Sequence, residues 1–203
     1  VTSHPSLPGS LADASLADSE MSWPVTSSEE KFASGFLRLT LDTIVSPDGG
    51  EHPRAVVRPR GAVAVLAVDD EGRILVVDQY RHPVGRRLLE LPAGTLDVEG
   101  EEPVDAAARE LAEEADVRAD TWEVQLTMYS TPGYSSEAWT IYRATDLTPV
   151  PDDERTEREA EEADMHQWWM PLDDAVAAVL DGRIADAKTA ASVLAEQVRR
   201  SRA

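Results

Sequence analysis

Glu90-Leu91-Pro92-Ala93-Gly94, then Glu101, then Arg109-Glu110-Leu111-Ala112-Glu113-Glu114-Ala115-Asp116-Val117 is the stretch on which the reading turns. A helix runs from Pro103 to about Ala115. Proline suits a first helical position, because the N–H it lacks would have no partner there. Val104, Ala107, Ala108, Leu111 and Ala115 fall on one stripe at helical spacing, and the alanines let that stripe lie close against a sheet. At ~100° per residue, Glu110, Glu113 and Glu114 then project within an arc of about 100°. Like charges so placed repel by a few tenths of a kcal/mol per pair, roughly. The repulsion disappears if divalent cations sit among the carboxylates, and Mg²⁺, a hard ion that takes oxygen ligands, suits them better than zinc. Taken alone, the helix also reads as an ordinary acidic face, with Arg109 paired to Glu113 at i+4. Upstream, Leu91-Pro92-Ala93-Gly94 reads as a chain reversal whose glycine lets a backbone carbonyl approach a metal with no side chain in the way.

On the N-terminal side, Gly61-Ala62-Val63-Ala64-Val65-Leu66-Ala67-Val68 is an unbroken apolar run, as expected of a strand buried on both faces. Asp69-Asp70-Glu71-Gly72 turns the chain into Arg73–Val77, read as its hairpin partner. A first strand group lies between Lys31 and Val57 around the turn Ser46-Pro47-Asp48-Gly49-Gly50. On the C-terminal side, strands are expected at Trp122–Met128, Ala138–Ala144 and Met165–Met170, with helices at Asp173–Leu180 and Asp186–Arg199. Pro151–Asp164 reads as a long acidic loop. The expected class is α/β: an α/β/α sandwich with a mixed β-sheet, plus a small N-terminal antiparallel β-subdomain. The expected divisions are a disordered leader over 1–22, the β-subdomain over 23–58 and the main domain over 59–203.

Composition narrows the partners. A formal net charge of −20 over 203 residues disfavours DNA, RNA and anionic membranes. The absence of cysteine removes disulfides and thiolate sites and fits a cytoplasmic protein. No stretch approaches the ~20 apolar residues of a membrane span, and residues 1–20 carry no pattern of a targeting peptide.

The quoted stretch resembles the Nudix box: Gly94, Glu101, Arg109, Glu110, Leu111, Glu113, Glu114 and Val117 match. Two positions depart from it. One extra residue separates Gly94 from Glu101, and Asp116 stands where the box has its last glycine, at a helix end that calls for left-handed backbone. Asp tolerates that conformation better than most residues. Outside the box, Gln79-Tyr80-Arg81-His82, Gly85-Arg86-Arg87, Thr131-Pro132-Gly133 and Glu161-Glu162-Ala163-Asp164-Met165 resemble the ADP-ribose pyrophosphatase branch, and the likeness covers roughly 31–200.

The resemblance implies a fold, a reaction and a set of roles. Glu110, Glu113, Glu114 and the Ala93 carbonyl become ligands of Mg²⁺, with Mn²⁺ as the alternative, and Arg109 and Glu114 count with the catalytic set. The general base is a glutamate of the late loop, Glu162 or its neighbour Glu161. Phe36, Arg54, Arg81 and Glu137 match substrate-holding positions. The three arginines Arg81, Arg86 and Arg87 suit phosphate oxygens by charge and geometry, and they equally suit salt bridges in an acidic protein. Tyr80 and His82 read as packing residues. The implied reaction is hydrolysis of ADP-ribose at its pyrophosphate bond to AMP and ribose 5-phosphate. Alternatives are another nucleoside-diphosphate derivative, a nucleoside triphosphate, or binding without cleavage in a sensor. The implied assembly is a homodimer, with a plain N-terminal sheet packed on its own subunit as the competing reading.

Overall fold

The computed structural model describes residues 2–3, 5–8, 10–158 and 163–202. The strands are β1 (Thr2–Ser3), β2 (Ser10–Leu11), β3 (Val25–Ala33), β4 (Leu37–Val45), β5 (Glu51–Pro59), β6 (Ala62–Ala67), β7 (Arg73–Arg81), β8 (Arg86–Glu90), β9 (Ala93–Thr95), β10 (Val117–Tyr129), β11 (Ala138–Pro149) and β12 (His166–Pro171). Among the described residues three α-helices join them: α1 (Pro103–Ala115), α2 (Leu172–Leu180) and α3 (Ala187–Arg202).

The central sheet has the order β10-β11-β6-β9. It is mixed, because β11 runs parallel to β6 while the other two pairings are antiparallel. Every residue of β6 is buried, and its alternation sorts the core. Val63, Val65 and Ala67 meet Ala106, Ala107, Leu111 and Ala115 of α1 on one face. Ala64 and Leu66 meet Ala175 and Ala178 of α2 and Val193 of α3 on the other. A strand with no polar position must be covered on both sides, and helices do the covering. The α/β/α sandwich with a mixed sheet is the architecture expected.

The hairpin expected between β6 and β7 does not form. Only a bridge from Val68 to Ile74 joins the two runs, and β7 belongs to a second sheet of order β12-β7-β8. Both edges of β6 are taken by β11 and β9, so β7 finds its partners elsewhere. Leu91-Pro92-Ala93-Gly94 is likewise more than a reversal: Ala93, Gly94 and Thr95 pair with Ala64, Val63 and Ala62 as the edge strand β9.

A separate antiparallel sheet, β3-β4-β5, precedes the sandwich. It begins earlier than the strand group expected from Lys31, because β3 is exposed along all nine residues and has no apolar period to reveal it. Its β5 touches the sandwich where Val57 N–H donates to Tyr134 O at 2.8 Å and Ser136 N–H donates to Val57 O at 3.0 Å. No described helix is long and apolar enough to cross a membrane.

Candidate functional site

Helix α1 begins and ends where the sequence pattern puts it. Asp116 closes it in left-handed geometry, φ 52° and ψ 33°, with its N–H returning to Ala112 O. The apolar stripe faces β6, which leaves Glu110, Glu113 and Glu114 toward β9 and the solvent. Glu114 is buried and accepts the Ala93 N–H at 2.9 Å. Glu110 lies flat against Gly94: a Cβ built on that glycine would stand 2.0 Å from Glu110 Oε1. Gly94 has no positive φ. Its smallness makes room for the Glu110 carboxylate, a reason different from the carbonyl approach expected of it.

Arg109 holds this cluster together. Its Nε and Nη2 donate to the two oxygens of Glu101 at 3.1 and 3.2 Å. Nη1 reaches Glu110 at 2.8 Å and Glu113 at 3.0 Å. Hydrogen bonding to Glu101, then the charge of Glu110, raises the Arg109 pKa above its ordinary value. The guanidinium thus offsets the repulsion among the carboxylates, and the i+4 pair with Glu113 read from the sequence is one part of it.

The donor set is all carboxylate oxygen beside the β9 backbone, which fits a hard divalent cation. Among the described residues no three His, Asp or Glu side chains stand close enough to hold a metal ion as placed. Glu110 and Glu113 turn to Arg109, and Glu114 turns to the β9 N–H.

Behind β9 lies a charged group that the sequence reading missed. Glu90 is almost fully buried, held bidentately by Arg81 at 2.8 and 2.9 Å and by Lys188 of α3. Burial works against its ionisation, but the Arg81 hydrogen bonds and the Lys188 charge outweigh that and hold its pKa below the usual carboxylate range. Lys188 also pairs with Asp186 at 3.1 Å and lies 5.1 Å from the Trp139 ring centroid. Asp186 caps α3 through the Thr189 N–H at 3.0 Å, and Thr189 Oγ1 receives the Leu91 N–H at 2.9 Å. This network fixes the chain just before Ala93. Glu90 and Lys188 lie 98 positions apart, so no local pattern announces the pair.

Of the three arginines that suited either phosphate or salt bridges, two are salt-bridged. Arg81 serves Glu90, which commits a side chain expected at the substrate. Arg87 joins Asp78 at 2.8 Å to Asp164 at 2.6 Å. Arg86 is exposed. Phe36 is 60% exposed in the turn between β3 and β4. Arg54 donates to the carbonyl of its neighbour Pro53 and borders an open cleft of about 340 Å³ lined on its other side by Pro132–Ser136. Glu137 follows that loop, half-buried. The structure therefore brings together Ala93, Glu101, Arg109, Glu110, Glu113 and Glu114, and puts Arg54 on a different sheet and Phe36 in the β3–β4 turn of that sheet. Glu161 and Glu162 lie outside the described residues.

Known proteins share this fold and much of this sequence. A solved ADP compounds hydrolase superposes with a TM-score of 0.75, covering 89% of this chain and 95% of its own, at 20% identity, a likeness of fold. The ADP-ribose pyrophosphatase of Mycobacterium tuberculosis is 45% identical over 176 residues, 87% of this chain and 84% of the relative. That of Bacillus subtilis is 36% identical over 165 residues, 81% of this chain and 87% of the relative. The sequence model of the NUDIX domain matches residues 58–193, the span from the end of β5 into α3 that contains the whole carboxylate cluster, and the chain belongs to that family.

Proposed function

We propose that this protein hydrolyses ADP-ribose at its pyrophosphate bond, giving AMP and ribose 5-phosphate. The observation that carries the chemistry is the seating of Glu110 on Gly94 and Glu114 on the Ala93 N–H, which fixes oxygen donors beside a backbone edge. The substrate is suggested by the two relatives named as ADP-ribose pyrophosphatases, one of them 45% identical over most of both chains. Members of the family work with a divalent metal, and we assign Glu110, Glu113, Glu114 and the Ala93 carbonyl as the residues that hold it, with Mg²⁺ as the ion. A divalent cation there supplies charge neutralisation for the diphosphate and makes its phosphorus more electrophilic.

The chain's own residues do the rest. Arg109 orients Glu110 and Glu113 through Nη1 while Glu101 anchors its other nitrogens. Glu162 or Glu161 takes the proton as water adds to one phosphorus and the bridging P–O bond breaks. The cavity bordered by Arg54 and Pro132–Ser136, with Glu137 next in sequence, is assigned to the rest of the nucleotide, and Phe36 to its adenine. The arms of the decisive assay are ADP-ribose, a nucleotide sugar and a nucleoside triphosphate, each with Mg²⁺ and with product identification. AMP and ribose 5-phosphate from the first, at the highest kcat/KM, is the expected result. Preference for the triphosphate overturns the reading.

A homodimer built through the 23–58 subdomain belongs to the same proposal. In support, β3 is exposed throughout and carries Val25 and Phe32 on an open edge, both 55% exposed. Sedimentation at twice 22.1 kDa is expected, and a monomer at micromolar concentration refutes it.

A further inference from the structure

We infer that Asp116 and Arg158 form a clamp that ties the chain entering residues 159–162 to the C-terminal end of the carboxylate helix, so both are positioning residues for the reaction. Arg158 donates through Nη2 to Asp116 Oδ2 at 2.6 Å and through Nε to the Glu113 carbonyl at 3.0 Å. Both side chains are 20% exposed, so the pair is screened less than an ordinary surface ion pair.

The clamp has a reason to sit where it does. Helix α1 has no basic residue in its last turn, while its final carbonyls carry the negative end of the dipole. Arg158 brings that missing charge from another segment. Asp116 is the second half of the device. Its backbone closes the helix as the usual glycine does, and its carboxylate adds a hold that glycine lacks. Gln167 of β12 lies 3.4 Å from the same Asp116 oxygen and from Glu114 O. The Asp116 carbonyl accepts the Val150 N–H at 2.8 Å, where the loop departs from β11.

On the far side, Arg87 of β8 grips Asp164 through its carboxylate at 2.6 Å and its carbonyl at 2.8 Å. The chain on each side of 159–162 is therefore bound to an element of the site, α1 before it and β8 after it. The consequence for the reaction rests on the reading that the general base is Glu161 or Glu162. A base must lie within hydrogen-bond reach of its proton, and errors near 1 Å cost rate. Fixing the entering chain to the turn that bears Glu113 and Glu114 restricts where that base can go.

Asp116→Gly separates this role from helix capping. Glycine at φ 52° is the more comfortable residue, so the cap is kept or improved while the clamp is lost. The expected result is a melting temperature equal to or above the wild type. The kcat for ADP-ribose should fall by about tenfold or more, with KM changed by less than about twofold. Arg158→Ala should lose as much, and the double variant no more than either alone, as for two members of one contact. Both variants should also be cut faster than wild type by a glutamate-specific protease between Glu154 and Asp164. Wild-type kcat in Asp116→Gly, alongside a wild type that cleaves ADP-ribose, overturns the clamp's role. If the wild type leaves ADP-ribose intact, the proposed function fails by itself. The proteolysis then decides the clamp: faster cutting upholds it and equal rates overturn it.

Discussion

Gly94 and Glu114 show how little separates a working side chain from a blocked one at this site. A methyl group at position 94 would stand 2.0 Å from Glu110 Oε1, far inside contact distance, while the backbone there needs no positive φ. Gly94→Ala is therefore expected to push the Glu110 carboxylate off β9 without straining the chain. We expect kcat to drop by about 10²-fold, as for a displaced reacting group, with a small change in melting temperature. Wild-type turnover in this variant would mean that the Glu110 position is irrelevant to the reaction. Glu114→Gln tests the neighbour. The amide oxygen of Gln can still accept the Ala93 N–H at 2.9 Å, so the fold stays, and losing the charge should remove most of kcat at the same Mg²⁺ concentration. Unchanged kcat would discard Glu114 as a ligand. The spacing of these glutamates was legible in the sequence because a helix converts it directly into a shared face. The service of Glu101 to Arg109 across eight positions, and of Lys188 to Glu90 across 98, was not, because each depends on how the chain returns.

Helix α1 and strand β6 carry most of what makes the sandwich, and they were also the most readable elements. The helix runs from Pro103 to Ala115 as its proline, apolar stripe and left-handed Asp116 require. The run Ala62–Ala67 is buried on both faces as a strand without polar positions must be. The pairing of β6 was misread, since a short turn and two apolar runs look the same whether the strands join one sheet or split between two. Only the competition from β11 and β9 for the edges of β6 decides it. Strand β3 lacked any signal, because it faces solvent on both sides and its sequence has no period to read. The contact between α1 and β6 has a measurable weight. Leu111 is fully buried against Val63, Val65 and Ala107. Leu111→Ala should cost ~2–5 kcal/mol, the usual range for such a cavity. Urea unfolding should show it as a lower midpoint at unchanged slope, and a loss under ~1 kcal/mol would mean that the layer repacks.

The molecule carries a formal charge of −20, and among the described residues the buried acids Asp42, Glu90 and Glu196 are each paired with a base. Glu196 is fully buried on α3 and is reached by Arg199 at 2.8 Å, Arg200 at 3.0 Å and Arg143 of β11 at 3.2 Å. Burial works against its ionisation, yet the hydrogen bonds of Arg199 and Arg200 hold its pKa below the usual carboxylate range, as Arg81 and Lys188 do for Glu90. A carboxylate with a depressed folded pKa stabilises the protein above its unfolded pKa, about 4.3 for Glu. That stabilisation is lost as pH falls through the depressed folded value. Protonating exposed acids over the same descent relieves self-repulsion, which works the other way. Glu196→Gln isolates one of those pairs. At pH 7 it removes the charge that three arginines share, so the variant should be clearly less stable than wild type. As pH falls through the depressed folded value the wild-type carboxyl becomes neutral as well, and the gap between the two proteins should narrow. Urea unfolding of both at pH 7 and at the lowest pH where each remains folded measures that gap. A gap that stays constant would mean that Glu196 contributes shape alone, and that its paired charge adds nothing to the docking of α3 on the sheet.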